Sequence, residues 1–238
     1  MSIKKSIRRL ANLFGIDIVR LQQSPRHTML GLRSMAIASV IDCGANEGQF
    51  GRAVSTVFPD ARLYCFEPLE EPYGRLCVWA KTQNGRVQCF NFALGDEQGE
   101  VQMHRHDGHT PSSSLLASTS HGHLVYPQTR IETLSKVQLT TLDQALHGRL
   151  ENMPRGILLK LDVQGFEDRV LRGATRVLNA CTACVLEVCL DPLYENQAEF
   201  LELARLLKDA GYRYAGNLDQ EYADDGRVVY FDAVFRKP

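Results

Sequence analysis

The segment Asp42-Cys43-Gly44-Ala45-Asn46-Glu47-Gly48 joins a short apolar run to a helical pattern and gathers two glycines and two acids in one turn. Where a strand of an open α/β sheet hands over to a helix, such a turn lines the ligand crevice. Gly44 and Gly48 let the backbone bend tightly and approach a ligand that any Cβ would hold away. A dinucleotide site calls for three glycines, as G-x-G-x-x-G, so that a pyrophosphate rests on helix N–H groups. Here Asp42 stands where the first of them belongs, and Glu47 puts a second negative charge beside the helix start. That opposes a phosphate and suits a cation. About 20 residues further on, Glu67 in Phe66-Glu67-Pro68 occupies the place where an acid accepts both hydroxyls of a ribose. Standing alone it would read as a solvated strand end.

A second concentration of chemistry is Lys160-Leu161-Asp162-Val163-Gln164-Gly165, at the end of another apolar run. Charges there are costly unless used, and strand alternation points Lys160 and Asp162 the same way. Asp162 is the candidate base, or the group that orients an acceptor, with Lys160 as its partner. The competing role is to hold a ligand's ammonium while Lys160 neutralises the pair. Glu167 and Glu187 either join the same pocket or form ion pairs at element ends. No second carboxylate lies at a fixed ligand spacing from Asp162, so no metal is expected. His104, His106, His109, His121 and His123 sit in a polar stretch without a cysteine or carboxylate at ligand spacing. One of them could serve an acceptor as base, because imidazole titrates near neutrality.

The elements that must position these residues alternate regularly from residue 39 onward. Ser39–Cys43, Arg62–Phe66, Val87–Leu94, Gly156–Val163 and Ala183–Val188 read as strands apolar on both faces, the mark of buried parallel pairing. Between them, 49–58, 72–82, 166–178 and 197–210 carry helical patterns, closed by Pro59 in the first case and Gly211 in the last. The chain ends in two strand-like runs, 212–218 and 228–236, around a polar turn that predicts an edge hairpin. Gly95 to Leu139 is an irregular stretch rich in Ser, His, Gly and Thr, with strand-like pieces at its two ends; it is expected to be an insertion, a lid over the site between strands 3 and 4.

With 238 residues, 44% of them hydrophobic, the chain can bury the core of one domain, 39–238, preceded by a segment 1–38. In that segment Ile3, Ile7, Leu10 and Phe14 share one helical face, opposite Lys4, Lys5, Arg8 and Arg9. Such a helix docks on the domain through its apolar face or touches an anionic membrane surface weakly. A net charge of −1 gives no reason to expect a nucleic-acid partner. The seven cysteines lie mostly in apolar runs, and their odd number fits a reducing, cytoplasmic compartment. No run approaches the roughly 20 apolar residues of a membrane span.

Val40 to Gly48, Phe66-Glu67-Pro68, Asn91-Phe92-Ala93-Leu94 with Gly99, and Leu159 to Glu167 occur in an order and at strand ends that resemble the FkbM family of methyltransferases. Leu171, Gly173 and Ala174, Leu186-Glu187-Val188 and Gly211-Tyr212 extend the resemblance over nearly everything from residue 39. It implies a Rossmann-like class I methyltransferase fold, a mostly parallel seven-stranded sheet with an antiparallel strand near the edge. It also implies S-adenosylmethionine as cofactor, whose sulfonium and ammonium match the cation expected above. Asp42, Gly44, Ala45, Asn46 and Gly48 would then line the methionine end, Glu67 and Pro68 the ribose, and Asn91, Phe92 and Ala93 the adenine side. The expected reaction is methylation of a hydroxyl of a sugar, glycan or secondary metabolite, a small-molecule or glycan acceptor. Two other readings stay open: an NAD or nucleotide-sugar enzyme on the same fold, and a membrane-associated module of glycan assembly.

Overall fold

The computed structural model describes residues 7, 10–16, 18, 29 and 31–238. Its strands are β1 (Ser39–Cys43), β2 (Arg62–Phe66), β3 (Val87–Phe90), β4 (Ala93–Gly95), β5 (Gly99–His106), β6 (Glu132–Thr141), β7 (Ile157–Leu161), β8 (Ala183–Cys189), β9 (Arg213–Tyr222) and β10 (Val228–Arg236). The helices are α1 (Gln49–Val57), α2 (Glu70–Lys81), α3 (Ser120–Val125), α4 (Leu142–Ala145), α5 (Glu167–Arg172), α6 (Thr175–Ala180) and α7 (Phe200–Asp209), with short 3₁₀ turns between some of them.

Seven strands form one sheet in the order β3-β2-β1-β7-β8-β10-β9. The first five are parallel, whereas β10 runs antiparallel to both β8 and β9. The expected edge hairpin is present, and its second strand, not its first, pairs with the parallel block. Successive residues in the central strands enter opposite layers. Ile41, Leu159 and Leu186 join the core under α5, α6 and α7. Val40, Leu158 and Val185 join the core under α1 and α2. Burial on both faces is what makes these runs continuously apolar. Register sets Asp42 beside both Cys65 and Lys160, and Glu187 beside Asp232, so the charged residues collect at the carboxyl ends of β1, β7 and β8.

Two elements break where the sequence predicts continuity. The strand expected over Val87–Leu94 ends at Phe90, because the Asn91 side chain donates to the carbonyls of Glu67 and Pro68, both at 2.9 Å, and turns the chain out of the sheet. The helix expected over Phe166–Leu178 is two. A Cβ on Gly173 would stand 2.0 Å from the carbonyl oxygen of Gly95, and Asp143 accepts the N–H groups of Arg176 and Val177, starting a second helix from outside.

The stretch between β3 and β7 is more regular than its composition predicts. It builds a second sheet, β4-β6-β5, followed after Asn152 by the chain's return to β7. Before β1, Met29, Leu32 and Ile37 are buried with the α1 and α2 layer. Among the described residues of the N-terminal segment, Ile7, Leu10 and Phe14 are exposed. Ile3, Lys4, Lys5, Arg8 and Arg9 lie outside the described residues. Among the described residues no helix is long and apolar enough to cross a membrane.

Candidate active site

A cavity of about 460 Å³ opens at the carboxyl ends of the parallel strands. Gly44, Ala45 and Asn46 line it from the turn after β1, Glu67 and Pro68 from the end of β2, Phe92 and Ala93 from the turn after β3, and Lys160 and Asp162 from β7 and its end. The other three residues of the sequence-based set stand behind this wall. Asp42 lies fully buried under it. Gly48 gives α1 room against α2, since a Cβ there would meet the Trp79 ring at 2.8 Å. Asn91 spends its side chain on the two carbonyls that shape the turn.

The turn after β1 is held by backbone geometry. Gly44 has φ +77°, and its N–H and that of Ala45 both donate to the Phe66 carbonyl, at 3.1 and 2.9 Å. A Cβ at Gly44 would stand 1.8 Å from the Asp162 carbonyl oxygen, so only glycine lets the two turns touch. Asn46 Oδ1 accepts the Glu47 N–H at 2.9 Å, and its amide donates to Thr110 Oγ1 at 3.2 Å, tying the turn to the stretch between β5 and β6.

Glu67 receives one backbone N–H on each carboxylate oxygen, from Asn46 at 2.9 Å and Leu69 at 2.8 Å. Burial pushes its carboxyl up to about 7 against the pull of those two bonds. Asp42 is raised by burial too, partly offset by Lys160. Neither Asp42 oxygen has a hydrogen-bond partner; the Lys160 ammonium is 3.5 Å away, an ion contact without a hydrogen bond.

Lys160 is buried, and its ammonium meets Asp162 Oδ2 at 3.0 Å and the Gly44 carbonyl at 3.3 Å. Burial works against its charge, but Asp162 and Asp42 outweigh it and hold the lysine protonated. Glu167, singled out beside Asp162, is not among the residues lining the cavity. Its carboxylate accepts the N–H groups of Val163 and Gly165 and closes the turn into α5, and burial raises it to about 7.

Three residues of the site escape sequence reasoning or sit at its margin. Gln164, at φ +58°, donates from Nε2 to Asp162 Oδ1 at 2.6 Å and to Glu187 Oε1 at 2.7 Å. Its Oε1 accepts the Tyr194 hydroxyl at 2.6 Å, with the Ser112 carbonyl at 2.9 Å sharing that hydrogen. Ser114 Oγ fixes the Gln164 carbonyl at 2.6 Å. The signals in the sequence are the Gln164-Gly165 step, which suits a left-handed turn, and the Ser112-Ser113-Ser114 run, which the family resemblance marks as a segment that could touch an acceptor; nothing around Tyr194 marks it.

Of the histidines, His109 lines the cavity. His104 pairs with Glu132, His121 with Asp191 and His123 with Thr129, while His106 is buried against Ser112 and lowered by that burial. Among the described residues no group of three or more ligating side chains could hold a metal ion.

With this geometry in hand, likeness to known proteins becomes informative. The 2-O-methyltransferase NoeI of Sinorhizobium fredii is 28% identical over 174 residues, 71% of this chain and 70% of its own. The hexuronic acid methyltransferase AglP of Haloferax volcanii is 24% identical over 147 residues, 62% of this chain and 54% of its own. The crystal structure of methyltransferase FkbM from Methylobacillus flagellatus superposes with a TM-score of 0.53 at 12% identity, over 84% of this chain and 43% of that one. This chain spans less than half of that protein's length. The sheet order and this superposition make the fold that of the class I methyltransferases. The Methyltransferase FkbM domain matches residues 42–214, from the buried Asp42 to the first residues of β9. That span holds the glycine turn, Glu67, the Lys160–Asp162 pair and Glu187, and it makes this enzyme a member of the FkbM family of methyltransferases.

Proposed function

We propose that this methyltransferase takes S-adenosylmethionine as its methyl donor and methylates a hydroxyl oxygen of a sugar, glycan or secondary metabolite. The observation that carries the reading is the fully buried Asp42 carboxylate with both oxygens lacking a hydrogen bond, set under a glycine turn that only a Cβ-free backbone can make. An anionic floor of this kind suits a cationic ligand and repels a pyrophosphate. For a hydroxyl acceptor, support comes from two relatives whose names state 2-O-methylation and methylation of a hexuronic acid.

The residues fit the cofactor part by part. The turn Gly44-Ala45-Asn46 would hold the methionine end over Asp42. Glu67 would take the ribose hydroxyls, since each of its oxygens keeps a lone pair beyond its backbone bond. Phe92 and Ala93 would border the adenine. When bound, the cofactor supplies an electrophilic methyl group. The chain's own work is then to align the acceptor oxygen and accept its proton. Lys160 fixes the orientation of Asp162, and Asp162, partly exposed to the cavity, accepts from the acceptor hydroxyl or from the cofactor's ammonium.

Calorimetric titration with S-adenosylmethionine and NAD separates this reading from a dinucleotide enzyme. Micromolar binding of the first alone is expected, and binding of NAD alone would sink the proposal. Transfer of deuterated methyl to a panel of alkyl and aryl glycosides, read by mass spectrometry, then tests the acceptor atom.

A further inference from the structure

Glu187 lines the same cavity as the glycine turn, Glu67 and Asp162. It is joined to Asp162 through a single nitrogen, Gln164 Nε2, which spends both hydrogens on the two carboxyl groups. The Tyr194 hydroxyl fixes this amide in one orientation, because it donates to Oε1 and leaves Nε2 facing the two carboxyls. The direct cation of the pair goes to one side: Lys160 binds Asp162 Oδ2. Glu187 faces Asp162 from the end of β7, Glu167 from α5 and Asp232 from the register of β10, and Lys160 from within β7. Tyr126, Tyr230 and Tyr194 approach as neutral phenols. Three acids around one half-buried carboxyl favour its neutral form.

We propose that Glu187 carries a proton in the unliganded protein and releases it when a cationic cofactor enters the cavity, which makes Glu187 the base for the acceptor hydroxyl. The inference rests on the reading of S-adenosylmethionine as the donor. Burial, with Asp162, Asp232 and Glu167 adding to it, holds the Glu187 carboxyl well above the usual carboxylate range. S-adenosylmethionine brings one net positive charge, which favours the ionised form of a carboxyl in the same cavity. The proton leaves to solvent, –COOH becoming –COO⁻. In the transfer the acceptor O–H bond breaks and its proton goes to Glu187. The oxygen bonds the methyl carbon as the C–S bond breaks, and the electron pair stays on sulfur. Glu187 ends the cycle protonated, as it began.

The test is calorimetry on the full chain at pH 7, with S-adenosylmethionine titrated in phosphate and in Tris, whose ionisation heats differ widely. The buffer-dependent heat should report release of about one proton per cofactor bound. Glu187→Gln should bind the cofactor and lose most of that release. S-adenosylhomocysteine, whose sulfur is neutral, should release few protons from the unaltered protein, a comparison that needs no variant to fold. Equal heats in the two buffers, undiminished release in Glu187→Gln, or equal release with both ligands would overturn the assignment and leave the cofactor reading intact. Absence of binding by S-adenosylmethionine would remove the cofactor reading and the inference together.

Discussion

The carbonyl oxygen of Asp162 stands 1.8 Å from the place a Cβ on Gly44 would occupy, so the turn after β1 and the turn after β7 meet backbone to backbone. The Asp162 N–H also reaches the Cys43 carbonyl at 3.1 Å, which carries the parallel pairing one residue beyond the strands. Gly44→Ala must push these turns apart and hold an alanine at φ +77°, a conformation that costs an L-residue about 1–2 kcal/mol before any clash is counted. Thermal melting should fall by at least about 4 °C, and S-adenosylmethionine affinity should fall with it. A variant that melts like the parent would contradict the contact.

Tyr194 links three segments through one hydroxyl: the turn after β7, the stretch after β5 at Ser112, and its own loop after β8. Tyr194→Phe keeps the ring and leaves the half-buried Gln164 Oε1 without its donor, at a cost of about 1–3 kcal/mol. The melting temperature should drop by roughly 2–10 °C. Hydrogen exchange should quicken at Ser114 and Leu116, whose N–H groups bond within the segment anchored to Gln164. Unchanged exchange there would mean that the hydroxyl does not hold this segment.

What the sequence revealed of this architecture depends on how far apart the deciding partners lie. The central strands are legible because Val40 and Ile41, or Leu158 and Leu159, are buried in opposite layers, which forces continuous apolar runs. Asp42, Gly44 and Glu67 are legible because a turn and a strand end constrain residue type locally. The end of β3 at Phe90 is not, since it depends on Asn91 reaching carbonyls 23 and 24 residues back. The break at Gly173 depends on Gly95, and the second sheet is hidden in a stretch whose composition resembles a loop. Gln164 and Tyr194 meet across 30 residues, and no short pattern announces a hydrogen bond of that span.

Glu67 and Glu167 give stability a pH dependence with a definite sign. Both carboxyls are raised to about 7 in the folded protein, by burial first, from an ordinary value of 4.5. Between those values the folded state binds more protons than the unfolded one, so this contribution is full below pH 4.5 and is lost as pH rises through 7. His106, lowered by burial, contributes the opposite slope and loses stability as pH falls. Comparing the protein with Glu167→Gln isolates one carboxyl. The parent should lose on the order of 1–3 kcal/mol more than the variant between pH 5 and pH 8, read from urea melts. Parallel pH curves would show that Glu167 does not change its protonation on folding.

Lys160 is the cation on which the buried Asp42 and the half-buried Asp162 depend. Its ammonium is 3.0 Å from Asp162 Oδ2 and 3.5 Å from Asp42 Oδ1, and Asp42 has no hydrogen-bond partner to replace it. Lys160→Met preserves much of the stem's packing but leaves that negative charge uncompensated. Removing one partner of a buried pair costs about 3–5 kcal/mol, which for a chain of this size is a fall of roughly 10 °C or more in melting temperature. The loss should be smaller at pH 5 than at pH 8, because Asp42, already raised by burial and then freed of the Lys160 pull, takes up a proton in the variant at the lower pH. Lys160→Met, Asp42→Asn should recover part of the loss at pH 8, since a neutral amide no longer needs the ammonium. If the single variant is equally destabilised at both pH values and the second substitution recovers nothing, Lys160 acts by packing against Phe50, whose ring its ammonium overlies at 5.6 Å, and not by charge.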